Sequence, residues 1–226
     1  MTEPVRLTID IYSDVMCPWC VIGYNQLSKG LELLAGEIEA EVRWLPFELN
    51  PDMPLEGEPQ DEHIARKYGR TPEQAAANRS QLLAIGERAG YSFAYSGEGE
   101  APRAMMWNTF AAHKLLKWAL VEAGAEPQNR LKQALFDAHF QQRRNVSDPD
   151  VLVAVAAEQG LDPAAARAAL DDAALAQIVR SEEAQAWDMN ISGVPAMLVQ
   201  GKYLIPGAQE PEVYAQALRR VAERGI

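Results

Sequence analysis

Cysteine is nearly absent: 226 residues hold two, Cys17 and Cys20. With no cysteines beyond this pair, the compartment need not be oxidising. Histidine is almost as scarce, and His63, His113 and His139 stand far from the cysteines and singly on helical patterns. Structural zinc needs four ligands, usually cysteine or histidine, so no metal is expected. Positive charge is short as well, with 21 Lys and Arg against 32 Asp and Glu and a net charge of −11. Such a balance argues against binding nucleic acid or anionic lipid, and it disfavours an acidic client. No run approaches eighteen consecutive apolar residues, which excludes a membrane-spanning helix. The helical stretches share no fixed period, so a solenoid is not expected. The opening Met-Thr-Glu-Pro-Val-Arg lacks the charged start and apolar core of a secretory signal, and a cytoplasmic setting is expected.

What the chain does have is a globular composition, 48% hydrophobic with five tryptophans. Its length suits one large domain or a small domain carrying an insertion. The two cysteines form one unit, Cys17-Pro18-Trp19-Cys20. Two cysteines placed at random would fall at this spacing roughly one time in a hundred. The unit follows the alternating segment Leu7, Ile9, Ile11 and opens a helical pattern. Unpaired N–H groups and the positive end of the helix dipole favour a thiolate there, and proline suits the first helical position. The unit therefore reads as a redox dithiol, with Cys17 exposed and Cys20 tucked one turn later.

The coarse pattern along the chain is β-α-β, a helical block, then β-β-α. Arg6 to Tyr12 reads as a strand, Pro18 to Leu34 as a helix and Glu41 to Leu49 as a second strand parallel to the first. Asn50 to Gln60 is a Pro-, Gly- and acid-rich connector. Thr71-Pro72-Glu73-Gln74 is a capping box whose helix closes at Gly90. Arg103 to Gly124, Asn129 to about Arg143, and segments opening at Asp148-Pro149, Asp162-Pro163 and Ala174 also read helical. Ala196 to Gln200 and Tyr203 to Pro206 flank the turn Gly201-Lys202, and Glu210 to Arg224 is a last amphipathic helix.

Several side chains are candidates for the chemistry. Attack by Cys20 on a mixed disulfide needs a proton acceptor or a water route, and Asp10 on the first strand is the candidate; otherwise it is an exposed carboxylate. Asp14 either caps the turn before Cys17 or is solvated, and its charge would oppose a thiolate beside it. Pro18 and Trp19 tune the couple. Neither offers a polar partner such as histidine, so a thiolate less extreme than in a strongly oxidising relative is expected. Trp19 faces substrate or packs inward, and Met16 and Tyr24 extend an apolar rim or the core. His113 reads as packing or hydrogen bonding, and Asn108 as a cap or loop anchor or as a small-thiol contact.

Ser13-Asp14-Val15-Met16-Cys17-Pro18-Trp19-Cys20, Gly23, Phe47-Glu48-Leu49-Asn50-Pro51, Asn108-Thr109, Ala112-His113-Lys114-Leu115, Gly193-Val194-Pro195 and Gly207-Ala208-Gln209 occur in this order along nearly the whole chain. In these elements the chain resembles the DsbA family of thioredoxin-fold proteins, and within it the FrnE-like branch of dithiol–disulfide oxidoreductases. The resemblance implies an α/β thioredoxin-like fold with a large all-helical insertion. Residues 1–55 and 190–226 would form the thioredoxin-like domain, and 56–189 the insertion. It implies a cis bond at Pro195, opposite the dithiol, and a substrate-binding edge at Val194 and Pro195, shared with Trp19. Two departures bear on substrate choice: Ala196-Met197 after the proline, where aromatics are common, and Ile205-Pro206 before Gly207, where a small polar residue is common.

The expected activity is exchange between Cys17, Cys20 and a disulfide- or dithiol-containing protein or small molecule, with no cofactor but glutathione as a possible co-substrate. Oxidase, reductase and isomerase stay open. One rival is a glutathione-dependent isomerase or transferase, like the kappa-class or hydroxychromene-carboxylate isomerase group. Those proteins share the helical insertion and the region around Asn108 to Leu115 but usually lack the second cysteine. A non-catalytic peptide-binding module is the other.

Overall fold

The computed structural model describes residues 3–224, so Met1, Thr2, Gly225 and Ile226 at the ends of the expected thioredoxin-like domain lie outside the described residues. Strand β1 (Val5–Ser13) leads through a four-residue loop into α1 (Pro18–Glu32), and β2 (Ile38–Pro46) returns parallel to β1. The chain comes back to this sheet only at β5 (Ala196–Val199) and β6 (Tyr203–Pro206), before α9 (Pro211–Glu223). The sheet order is β2-β1-β5-β6, with β5 antiparallel to β1 and β6 antiparallel to β5. This is a DsbA-like thioredoxin fold.

β1 is central and covered on both faces. Leu7, Ile9 and Ile11 turn to one side, where they share a core with Cys17, Cys20, Val21 and Leu27 of α1 and Tyr214 and Leu218 of α9. Tyr12 turns to the other, against Phe47, Ala186 and Ile191. Two-residue alternation along a strand dictates this division.

Between the two halves of the sheet lie α2 (Gln60–Tyr68), α3 (Pro72–Ala89), α4 (Phe110–Ala123), α5 (Ala125–Phe140), α6 (Pro149–Glu158), α7 (Pro163–Asp171) and α8 (Ala173–Asp188). A two-residue ladder, β3 (Glu58–Pro59) with β4 (Met105–Met106), is the only extended pairing among the described residues of that stretch. The helix starts follow local chemistry. The Thr71 capping box opens α3 and left-handed Gly90 closes it, while Asp148, Asp162 and Asp172 side chains accept from N–H groups of the next turn. Leu115, Leu116, Leu131, Leu135, Leu152 and Val155 build a separate helical core.

Among the boundaries that differ from the sequence pattern, three have a local reason. The helix expected from Arg103 begins at Phe110, because Met105 and Met106 pair with β3 and the Asn108 side chain accepts from the Phe110 N–H at 3.0 Å. The next helix starts at Ala125, since Gly124 at φ 93° turns the chain within one residue. β2 ends at Pro46, as the Leu49 N–H leaves the ladder to meet Asp14 Oδ2 at 2.8 Å.

α5 closes the outer edge of β2. The buried Gln128 amide accepts from the Trp44 N–H and donates to the Trp44 carbonyl, both at 2.9 Å, and donates to the Leu116 carbonyl at 3.1 Å. One side chain thus replaces the strand that would otherwise pair there. The Trp44 indole N–H is anchored on Asn129 Oδ1 at 2.9 Å.

Candidate active site

The dithiol sits where the two cores meet. Val15 and Met16 of the β1–α1 loop belong to the helical core, whereas Cys17 and Cys20 belong to the sheet core. Cys17 is the N-cap of α1, with extended backbone (φ −86°, ψ 111°), and Pro18 opens the helix. The Cys17 N–H donates to the Asp14 carbonyl at 3.1 Å, and the Cys20 N–H to the Cys17 carbonyl at 3.0 Å. Both cysteines are free thiols. Cys17 is not openly exposed, as its place in the sequence suggests: only 3% of its surface is accessible, and its Sγ lies 3.6 Å from the Val194 carbonyl oxygen. The N-cap conformation turns the side chain back against that segment. Cys20 is fully buried. Burial first, then the hydrogen bond and charge of Cys17, push its thiol well above the ordinary range, against the opposing pull of Lys132 and the local backbone.

On the sheet side the site is defined by close packing. The Val194–Pro195 peptide bond is cis. A Cβ at Gly23, on α1, would meet Pro195 Cγ at 2.9 Å and Ala208 Cβ at 3.4 Å. Gly23, Pro195 and Ala208, scattered in sequence, are thus one packing unit, and glycine is what lets α1 approach the proline. Trp19 is 43% exposed beside the dithiol, with its indole on the surface.

The helical side brings ionisable groups. Asp14 is fully buried, and its Oδ1 lies 3.8 Å from His113 Nε2 of α4. Burial raises its carboxyl, but His113, the Leu49 N–H and Lys132 outweigh that and hold it below the usual carboxylate range. Asp14 is therefore a core carboxylate rather than a solvated one. Lys132 of α5 is buried, with its Nζ 4.8 Å from the Phe136 ring centre and 5.1 Å from that of Trp44. Burial pushes its ammonium down to about 8, while Cys20, Asp14 and Cys17 oppose that shift. His139, one turn beyond Phe136, is pushed down to about 4 by burial and by Arg143. His113 Nε2, Lys132 Nζ and His139 Nδ1 all lack a hydrogen-bond partner among the described residues. Outward of Asp14, Glu48 is raised to about 8 by burial and then by the charges of Glu183 and Asp14.

Asp10 is a correction. Its carboxylate is clamped by the Arg43 guanidinium at 2.7 and 2.9 Å. It also points away from the thiols, because Ile9 and Ile11 on either side of it take the face that the dithiol packs against. The sequence reading passed over Lys132, a buried lysine whose charge favours the Cys20 thiolate. Its signal was a lysine within the apolar stripe Leu131, Leu135, Phe136 of α5. Asn108 is a loop anchor, donating to the Met53 carbonyl at 3.0 Å besides capping Phe110. Met16 Sδ accepts from the Trp107 N–H at 2.8 Å, and the Tyr24 hydroxyl bonds Asn129. His63 pairs with Glu58, far from the thiols in the β3–α2 corner. Among the described residues no group of three or more Cys, His, Asp or Glu could hold a metal ion.

A family model described as a DSBA-like thioredoxin domain matches residues 8–219. A crystal structure from Streptomyces coelicolor, described as a probable DsbA oxidoreductase, is 31% identical, covers 97% of this chain and 91% of its own, and superposes with a TM-score of 0.84. The Bacillus subtilis protein YwbO is 26% identical over 214 residues, 93% of this chain and 94% of that protein. The cytosolic disulfide reductase DsbM of Pseudomonas aeruginosa, solved with GSH, shares the fold at 16% identity and a TM-score of 0.61, over 96% of this chain and 99% of that one.

Proposed function

The chain belongs to the family of DSBA-like thioredoxin domains, and from that premise we propose that it exchanges disulfides through Cys17 and Cys20. The observation that carries the reading is the pairing of an N-cap thiol, 3.6 Å from the Val194 carbonyl beside Pro195, with a fully buried thiol one turn later. In this reading the Cys17 thiolate attacks a substrate disulfide and displaces one sulfur. Cys20 then attacks Cys17 Sγ, frees the second sulfur and closes the Cys17–Cys20 disulfide. The reverse sequence oxidises a dithiol. Val194 and Pro195 supply the edge on which the substrate lies, and the exposed Trp19 supplies an apolar contact. Asp14 holds the loop through the Leu49 N–H and faces His113. Pro18 fixes the start of α1.

The substrate is a disulfide- or dithiol-bearing protein or small molecule, and glutathione is the co-substrate to try first. We place the protein in the cytoplasm, where an acidic chain with a single pair of free thiols and no structural disulfide is at home. No described helix is long and apolar enough to cross a membrane. A glutathione-linked isomerase would have no need of Cys20, whose burial directly against Cys17 favours the dithiol.

Titration of the purified protein in glutathione buffers, with thiol-specific mass tagging of Cys17 and Cys20 at each ratio, tests this. The expected result is one reversible two-electron transition in which both thiols disappear together. A stable single glutathione adduct on Cys17 would support the isomerase instead, and thiols that stay reduced at every ratio would defeat the proposal. The midpoint then sorts direction, since about 30 mV in a two-electron couple is worth about 1.4 kcal/mol.

A further inference from the structure

The proposed exchange leaves one large surface feature unused. Trp187, on the last turn of α8, is the most exposed of the five tryptophans, with 59% of its surface accessible. The backbone fixes its place. Asn190 is left-handed (φ 59°), the Ile191 N–H donates to the Ala186 carbonyl, and the Asn190 N–H donates to the Trp187 carbonyl, both at 2.9 Å. This helix closure turns Ala186 and Ile191 into the small core that holds Tyr12 and Phe47, and leaves the Trp187 indole outside. The indole rests on buried Phe47, with ring centres 5.4 Å apart. Val194 joins this patch to the dithiol. It packs against the core of Phe47 and against the core of Cys17, and its carbonyl lies 3.6 Å from Cys17 Sγ. Packing is therefore continuous from Cys17 through Val194 and the small core to Trp187. An indole held rigidly and left open offers a large apolar area with little freedom to lose, which is what an anchor of recognition needs.

Resting on the dithiol reading, we propose that Trp187 is a substrate-recognition residue, and that the substrates it serves are polypeptides with an apolar side chain beside the reacting cysteine and neutral or basic flanks. Continuity with the edge at Val194 and Pro195 selects the substrate as occupant over a second copy of the chain. Glutathione has no apolar side chain to lay on an indole, so a small thiol reacts at Cys17 without using Trp187. The flanks follow from charge. Asp188 beside the indole is exposed and the chain carries −11 overall, which disfavours acidic neighbours of the apolar residue. The exchange itself is the same for both substrate classes: Cys17 and Cys20 give up two protons and two electrons, and the substrate disulfide takes them to become two thiols. Trp187 touches neither sulfur and holds the substrate equally before and during attack. Its loss therefore raises the half-saturating concentration and leaves the limiting rate alone.

The reduced full chain can be reacted with oxidised glutathione and with the symmetrical disulfides of two short peptides. One peptide carries phenylalanine on both sides of its cysteine and lysine at its ends; the other has serine in place of phenylalanine. Mass tagging follows the loss of free Cys17 and Cys20. Wild type should half-saturate with the phenylalanine peptide at about tenfold lower concentration than with the serine peptide. In Trp187→Ala that preference should fall to within about twofold, while the limiting rate and the rate on oxidised glutathione stay within about twofold of wild type. Trp187→Phe should keep most of the preference. A preference that survives in Trp187→Ala, or a loss of equal size on oxidised glutathione, would overturn the proposal. So would a wild type that does not distinguish the two peptides, a result that needs no variant. Sedimentation of the wild type as a dimer that Trp187→Ala turns into a monomer would also overturn it, by assigning this face to a second copy. Failure of the dithiol reading looks different: Cys17 and Cys20 would then stay free with all three disulfides.

Discussion

The two sides of the dithiol are built on opposite principles. Toward the sheet, contact is made by small residues and backbone: Gly23 against the Pro195 ring, and Cys17 Sγ against the Val194 carbonyl. The helical side instead holds buried ionisable groups, Asp14, His113, Lys132 and His139, three of which carry a nitrogen with no hydrogen-bond partner among the described residues. A core of that second kind is poorer in stability than an apolar one of the same shape, since each desolvated charge or dipole is incompletely answered. Its placement around the thiols is what gives it a use. One side sets where the sulfurs lie, and the other sets which protonation states they can reach.

The comparison can be broken first at the thiols themselves. Cys17→Ser should abolish disulfide exchange, by at least ~10³-fold in a single-turnover assay, because Cys20, the other thiol of this first turn, is fully buried and does not meet a substrate. Cys20→Ser should instead stop at a trapped mixed disulfide visible by mass spectrometry. Equal residual activity in both would mean the two thiols are not a working pair.

Next in size is the joint between the two regions. Gln128→Leu orphans the Trp44 N–H and the Trp44 carbonyl at once, and takes from the Leu116 carbonyl the bond it accepts besides its helical one. At about 1–3 kcal/mol for each buried group left unpaired, with some relief from water, urea unfolding should show a loss of about 2–5 kcal/mol. A loss under about 1 kcal/mol would mean that α5 does not seal β2.

Gly23→Ala sharpens the geometric side. The new methyl has no room at 2.9 Å from Pro195 Cγ, and overpacking of this kind costs about 1–3 kcal/mol. The expected signature is a drop in stability together with slower attack by Cys17, because the helix carrying it must retreat from Pro195. Lost stability with an unchanged rate of attack would show that this contact supports the fold and leaves the chemistry alone.

The smallest effect belongs to the electrostatic side. Glu48, raised from 4.5 to about 8, binds a proton in the folded state that it has lost in the unfolded chain. Its contribution is therefore fully present below about pH 4.5 and is lost progressively as pH rises to about 8. Glu48→Gln should leave Tm unchanged near pH 4 and raise it increasingly toward pH 8, with no further gain beyond. Partial exposure keeps the gain modest. A Tm difference that is flat across this range would remove Glu48 from the buried charge network.

Much of this was legible from residues alone, and where it was not the reason is physical. Cys17-Pro18-Trp19-Cys20 after an alternating strand placed the dithiol at a helix start, and Thr71, Pro72 and Gly90 bracketed α3 through their own caps. Asp10 went astray although the alternation held the answer, since a residue between Ile9 and Ile11 must leave the face they take. Lys132 was beyond reach for another reason. A lysine on an apolar helical stripe usually extends its stem and leaves its charge in water. Only the packing of α5 onto β2, with Trp44 over the amine, shuts that exit. The late start of α4 likewise depends on β3, a partner some fifty residues away that no local pattern announces.

The separation of Cys17 from Val194 by 177 residues also has a meaning in time. A ribosome adding about 5–20 residues per second delivers the thiols roughly 10–40 s before the segment that shields Cys17. β1 gains β2 early but cannot pair with β5 until Val199 is made. Throughout that interval the nascent chain carries two cysteines with neither the Val194 carbonyl nor Pro195 beside them, and their reactivity is that of an unguarded peptide.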